Sequence, residues 1–216
     1  LSAAEVQCNL LRVLKEHVGH REAAPKRPVR ALRDGRVSTT MPKHRSLVHA
    51  GAERQQRGRL RGWAVGLGAN LALAADFTVA DADATLWEPF VDRGFSPDSG
   101  ATWLLPRLAG VSRAKRMLLL GEKVTGSEAA QWGLIHDAVA DDELDTATDE
   151  LLERLASGPT VAIGLAKQAI NYGLHATLGQ SMAHELASLE LSCRTADFKE
   201  GLAAFRDRRT PDFHGR

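Results

Sequence analysis

A chain of 216 residues, 44% hydrophobic and 25% charged, has the composition and length of one sizeable globular core. No apolar run approaches the ~20 residues of a membrane span and the N-terminus shows no signal-peptide core, which excludes a membrane-embedded protein and points to a cytoplasmic one. The net charge of +1 hides an asymmetry: residues 1–61 carry 14 Lys+Arg against 5 Asp+Glu, and residues 62–216 carry 14 against 22.

In chain order, residues 1–18 have Val6, Leu10, Leu11, Leu14 and Val18 at the spacing of a short amphipathic helix. From His20 to Arg61 the chain is rich in Arg, is punctuated by Pro25, Pro28 and Pro42, and shows no alternation of apolar and polar residues. Residues 19–58 are therefore predicted to be irregular, and the basic segment 1–61 reads as a disordered or an out-of-frame stretch. A basic arm for nucleic acid would want aromatics among its arginines, and residues 1–61 contain no Phe, Tyr or Trp, which argues against a nucleic-acid partner. Even AERQQRGRLRG, just before Gly62, is too polar for a buried parallel strand.

The texture changes at Gly62. GWAVGLGANLALAAD, residues 62–76, begins as a short apolar strand, turns at Gly66 and Gly68, and continues as good helix material from Leu71. In such an elbow the first N–H groups of the helix, at Leu67 and Gly68, point into open space where an anionic oxygen can sit. Packing alone also accounts for a two-glycine turn. The stretch is neither a dinucleotide loop, since Leu71 replaces the third glycine, nor a phosphate loop, since no Lys-Ser/Thr pair follows.

Further on, Phe77–Ala80 and Ala84–Trp87 are predicted strands joined by Asp81-Ala82-Asp83. Ser112 is a predicted N-cap of a helix through Leu120, closed by Gly121, and Ser127 of another ending near Trp132. Leu134–Val139 is a strand candidate, and Leu144, Leu151, Leu152 and Leu155 mark a helix stopped by Gly158-Pro159. Thr160–Leu174 is helical, and Met182, Leu186, Leu189 and Cys193 share one face of the next helix as core residues. Cys8 and Cys193 have no metal-like spacing, nor do His136, His175, His184 and His214, so no metal site is predicted. The alternation of strands and helices followed by packed helices indicates an α/β domain at 62–158 and a helical region at 159–216.

From Gly62 onward the chain resembles the crotonase superfamily, the enoyl-CoA hydratase/isomerase fold. The resemblance rests on four stretches in order: GWAVGLGANLALAAD, GFSPDSGATWLLPRLAG, LLLGEKVTGSEAAQWGLI and DFKEGLAAFRDRRTPDF. It implies a repeated ββα spiral with a C-terminal helical region that mediates trimers, often paired into hexamers. It also implies an acyl-CoA ligand, with no cofactor beyond the coenzyme A of the substrate. By motif position the backbone N–H of Leu67, flanked by Gly66 and Gly68, is one of two donors to the thioester oxygen. Arg208 falls at a position that contacts the nucleotide part of coenzyme A.

Hydratases of this family use two glutamates, and their positions here are Asn70 and Phe90, neither of which can act as a base. Asp98, in SPDSG, instead stands where isomerase-like members carry an aspartate, including those resembling ring-opened phenylacetyl-CoA isomerases. One carboxylate suffices to move a proton between two carbons of an enoyl thioester. Asp98 is equally at home in a Pro-Asp-Ser-Gly turn. An apolar pocket of Trp87, Phe90, Phe95 and Trp103 is expected to bury Asp98 and raise its pKa. The expected function is a double-bond shift in an enoyl-CoA; the alternatives are a hydratase of altered mechanism and a non-catalytic crotonase-like protein. The family has about a hundred residues before its elbow, with strands and an Ala/Gly-Asp motif that residues 1–61 do not show. That predicts an N-terminally incomplete fold, a sheet with a bare edge, and a poorly folded or inactive chain.

Overall fold

Gly58 and Leu60 explain how a segment as polar as RGRL enters a sheet. Strand β4, Arg57–Leu60, pairs in parallel with β6, Phe77–Asp81, in the register Arg57↔Phe77 to Leu60↔Ala80. A Cβ on Gly58 would lie 2.9 Å from Thr78 Oγ1 and 3.2 Å from the Ala72 carbonyl, so only glycine lets the strand approach so closely. Leu60 is fully buried, and Arg59 leaves the sheet to pair with Asp145. The strand leading into the elbow is therefore present.

This computed structural model describes residues 58–216 in full and, before them, only the backbone pairing of Arg57 and of strands β1 (Arg30–Ala31), β2 (Arg36–Met41) and β3 (His44–His49). The helix predicted over 1–18 lies outside the described residues. Those strands correct the irregular reading of 19–58, because β3 runs antiparallel to β4 with Ser46↔Leu60 and Val48↔Gly58. The edge of β4 that was expected to be bare is thus paired. The sheet order is β1-β2-β3-β4-β6-β9, where β9 is Asp137–Val139; β5 (Trp63–Val65), β7 (Thr85–Trp87) and β8 (Val124–Thr125) form a second sheet in the order β5-β7-β8.

Helix α1, Leu67–Leu73, follows β5 through Gly66. Helix α2, Ala101–Leu120, is two helical segments joined at Gly110, whose φ of 80° and ψ of 160° are not helical; the second is the helix predicted from Ser112, and the first, from Ala101, is additional. Gly121 closes it in the left-handed conformation, as expected. Helix α3, Gly126–Gln131, is capped by Thr125 rather than Ser127, with a reciprocal box to Glu128. The predicted strand from Leu134 shrinks to β9, and Leu134 and Ile135 instead plug the core. Leu60, Leu86, Leu105 and Met117 are fully buried at its centre, each worth about 1.5–3 kcal/mol relative to exposure.

The described residues divide into two compact units at Thr148/Asp149, within helix α4, Leu144–Ala156. In the second unit α5 (Thr160–Gly173) packs on α6 (Leu178–Cys193), and α7 (Ala196–Asp207) follows. The C-terminal residues fold back over the start of α7: the buried Asp197 carboxylate accepts the N–H groups of His214 and Gly215 at 2.8 and 2.9 Å. Arg209 and the Asp212 N–H both bind Glu200, which holds its carboxyl well below the usual range, at about 2. Met182, Leu186 and Leu189, predicted as core, are more than half exposed on the chain, and Cys193 is half-buried.

Candidate active site

The elbow is built by geometry that only glycine tolerates. Gly66 sits at φ 52° and ψ −119°, buried between β5 and α1. Its N–H donates to the Trp87 carbonyl at 2.9 Å, continuing the parallel pairing of β5 with β7, and its carbonyl accepts from Asn70 N–H at 3.0 Å. The N–H groups of Leu67 and Gly68 therefore precede the first helical hydrogen bond. Among the described residues, a Cβ built on Gly68 would meet nothing within 4 Å beyond its chain neighbours and its own helix backbone.

The second component is the segment after β7. Pro89 and Phe90 lead into a 3-10 turn, Val91–Arg93, closed by Gly94 at φ 76°. Phe95 N–H returns to the Phe90 carbonyl at 3.1 Å, and the two rings meet edge to face at 5.5 Å. The Phe90 ring also lies 4.0 Å from where a Cβ on Gly66 would stand, so the elbow and this turn adjoin. Asp98 follows, its carbonyl accepting from Ala101 N–H at 3.0 Å and its Oδ1 accepting from Ser99 Oγ at 2.6 Å. Ser99 and Gly100 both have positive φ, 53° and 83°. A serine held there stores on the order of 1–3 kcal/mol of strain beside the carboxylate.

Several expectations need correction. Asp98 is exposed, so the burial predicted for it is absent. Trp87 does not join Phe90 and Phe95: it lies on the strand face opposite Leu86, its indole N–H donating to the Gly121 carbonyl at 3.0 Å, its ring against Trp63 and under the Lys123 ammonium. Phe95 is 48% exposed. Trp103 is partly buried on α2, with the Arg107 guanidinium 4.2 Å from its ring. Arg208 belongs to the second unit, where it is exposed and ends α7 in the left-handed conformation at φ 52°.

Burial acts instead on Glu88, a residue that the motif reading passed over. Its side chain is wholly inaccessible and neither carboxyl oxygen has a hydrogen-bond partner among the described residues. Desolvation first, and then the charge of Asp98, push its pKa from 4.5 up to about 8. The signal was in the alternation of β7: Ala84, Leu86 and Glu88 lie two apart, and the first two face the core. Asn70, one turn into α1, is equally buried, and its amide is also without a partner among the described residues. Among the described residues no cluster of three or more His, Cys, Asp or Glu is arranged to hold a metal ion.

The profile of the enoyl-CoA hydratase/isomerase family matches residues 58–216, which takes in the elbow, Glu88, the Asp98 loop and the C-terminal helices. The chain belongs to that family. It is 40% identical over 157 residues to the 1,2-epoxyphenylacetyl-CoA isomerase of Escherichia coli, covering 73% of this chain and 60% of that protein. It is 36% identical over 157 residues to the 2,3-dehydroadipyl-CoA hydratase of the same organism, covering 73% and 62%. Among solved structures, an enoyl-CoA hydratase from Bacillus anthracis superposes with a TM-score of 0.70 at 36% identity, covering 73% of this chain and 61% of that one. The fold is thus that of the crotonase family. The chain spans about 60% of the length of these relatives. Among the described residues no helix is long and apolar enough to cross a membrane.

Proposed function

We propose that the chain carries an enoyl-CoA isomerase site in which Asp98 takes a proton from one carbon of an acyl-CoA thioester and returns it to another. The observation that supports this best is the loop Gly94–Gly100: it carries Asp98 as an exposed carboxylate three residues after Phe95, while positions 70 and 90 hold an amide and a phenyl ring. In this reading the thioester oxygen sits at the mouth of α1, where the Leu67 N–H meets the enolate charge. A donor so placed contributes on the order of 3 kcal/mol to the transition state. Gly66 and Gly68 keep side chains out of the way of that oxygen, and Arg208, in the other unit, is by its permanent charge a candidate for a phosphate of coenzyme A. The relative named as an isomerase supports the same choice.

Hydration is the second reading, favoured by the relative named a hydratase and by the buried carboxyl of Glu88, which gives the site two carboxyl groups. The exposed apolar face of the second unit, with Leu178, Leu186 and Phe205 at 78%, 67% and 86% exposure, is where a second copy of the chain docks to form a trimer or hexamer. The deciding experiment compares wild type with Asp98→Asn on trans-3-hexenoyl-CoA, following appearance of the conjugated 2-enoyl thioester, and on 2-hexenoyl-CoA, following its hydration. The variant is expected to lose at least about 100-fold in isomerisation. Undiminished isomerisation overturns the Asp98 reading, and hydration that outruns isomerisation favours the second one.

A further inference from the structure

Two buried polar side chains flank the elbow with no partner among the described residues. Gly66 bonds to the Trp87 carbonyl, Glu88 follows Trp87, and Asn70 stands one helical turn beyond Gly66. The Glu88 oxygens and the Asn70 amide are all unpartnered among the described residues. A carboxyl buried for structural reasons is normally met by a donor or a cation, because an unpaired polar atom in the interior is expensive. Glu88 has instead a neighbouring charge of its own sign, Asp98. Two carboxyls in one site divide their protons, one staying neutral while the other ionises. Here burial keeps the proton on Glu88. A neutral carboxyl there has an O–H that no described residue engages.

We propose that Glu88 is a second catalytic residue: the Asp98 carboxylate removes a proton from one carbon of the enoyl thioester, and the Glu88 carboxyl delivers its own proton to the other. The inference rests on the Asp98 reading above and replaces its single-carboxylate shuttle by a pair. The C–H bond at the first carbon breaks and its proton goes to Asp98, while the electron pair enters the dienolate. A new C–H bond forms at the second carbon with the proton of Glu88, whose electron pair stays on its carboxylate. Transfer of the proton from Asp98 to Glu88, through water, restores the starting state with no other reactant.

The test uses the full chain and trans-3-hexenoyl-CoA carrying deuterium at C2, with wild type, Asp98→Asn, Glu88→Gln and Glu88→Asp. Glu88→Gln is expected to lose about 10²- to 10⁴-fold in rate, and Glu88→Asp less, because it keeps a proton to give. The wild-type rate is expected to fall on the alkaline side with a midpoint near pH 8, and the residual rate of Glu88→Gln to lack that limb. In a single turnover the hydrogen gained at C4 is expected to come from the protein or solvent, not from C2. An inactive Asp98→Asn together with a Glu88→Gln within about threefold of wild type overturns this inference alone. So does transfer of the C2 deuterium to C4. If Glu88→Gln fails to fold, the wild-type alkaline limb and the label decide, and absence of the limb overturns the inference. A wild-type chain without turnover, or a fully active Asp98→Asn, overturns the Asp98 reading and this inference with it.

Discussion

Glu88 makes the stability of this chain depend on pH in a direction opposite to that of ordinary paired carboxylates. In the unfolded chain it titrates near 4.5, and in the folded chain near 8. Between those values the folded state holds a proton that the unfolded state has released, so raising the pH favours unfolding. The contribution is full below pH 4.5, falls steadily above it, and is gone once the pH passes about 8. At about 1.4 kcal/mol for each pH unit, that interval is worth about 5 kcal/mol in all, comparable with the whole stability of a small domain. Glu88→Gln keeps the shape of the neutral acid and removes the titration. Urea unfolding of both proteins at intervals from pH 5 to pH 9 isolates the effect, since every other group cancels in the difference. The wild type is expected to lose several kcal/mol relative to the glutamine variant across that range. A difference that stays constant within about 1 kcal/mol would mean that Glu88 is ionised or solvated in the folded chain, and would refute the reasoning.

Gly66→Ala is expected to destabilise the first unit by about 1–3 kcal/mol, read as a lower urea midpoint, because a Cβ at φ 52° and ψ −119° is strained whatever space surrounds it. Thr125→Ala removes the side chain that accepts the Glu128 N–H at 3.2 Å and is expected to cost about 1 kcal/mol, seen as a lower Tm. Leu186→Glu places a charge on the exposed apolar face of α6 and is expected to reduce the mass measured by light scattering to that of one chain, with little change in Tm at low concentration. An unchanged oligomer would put the contact elsewhere.

The motifs of the second half were legible because their physics is local. Gly121 ends α2 as a left-handed cap, and the elbow at Gly66 needs a positive φ, and both show as glycines at a change of periodicity. The cap of α3 was misplaced by two residues because Ser127 and Thr125 are both good caps, and the reciprocal contact with Glu128 decides between them. What pattern reading missed depends on partners distant in sequence. RGRL looks too polar for a strand until Gly58 is seen against Thr78 and Arg59 against Asp145, 86 residues away. The first segment of α2, interrupted by Pro106 and Gly110, carries no clean period. Asp98 is expected from its motif to be buried and is exposed, since burial is a property of the assembled fold. The face of Trp87 was readable from the alternation with Leu86, and taking it as pocket lining ignored that rule.

Glu88 is the clearest case of local and global preference in conflict. Strand alternation puts position 88 on the same face as Leu86, where a leucine would add apolar burial and a glutamine would avoid a titration that weakens the fold as the pH rises. A glutamate there lowers stability at neutral pH, and no partner among the described residues offsets it. Such a residue brings no benefit to packing. The other strained features of the same region, the positive φ of Ser99 and the buried amide of Asn70, are likewise unfavourable for folding. Their convergence on the elbow and the Asp98 loop, within a unit whose remaining core is ordinary apolar side chains, is what physical chemistry expects of a site shaped by chemistry rather than by stability.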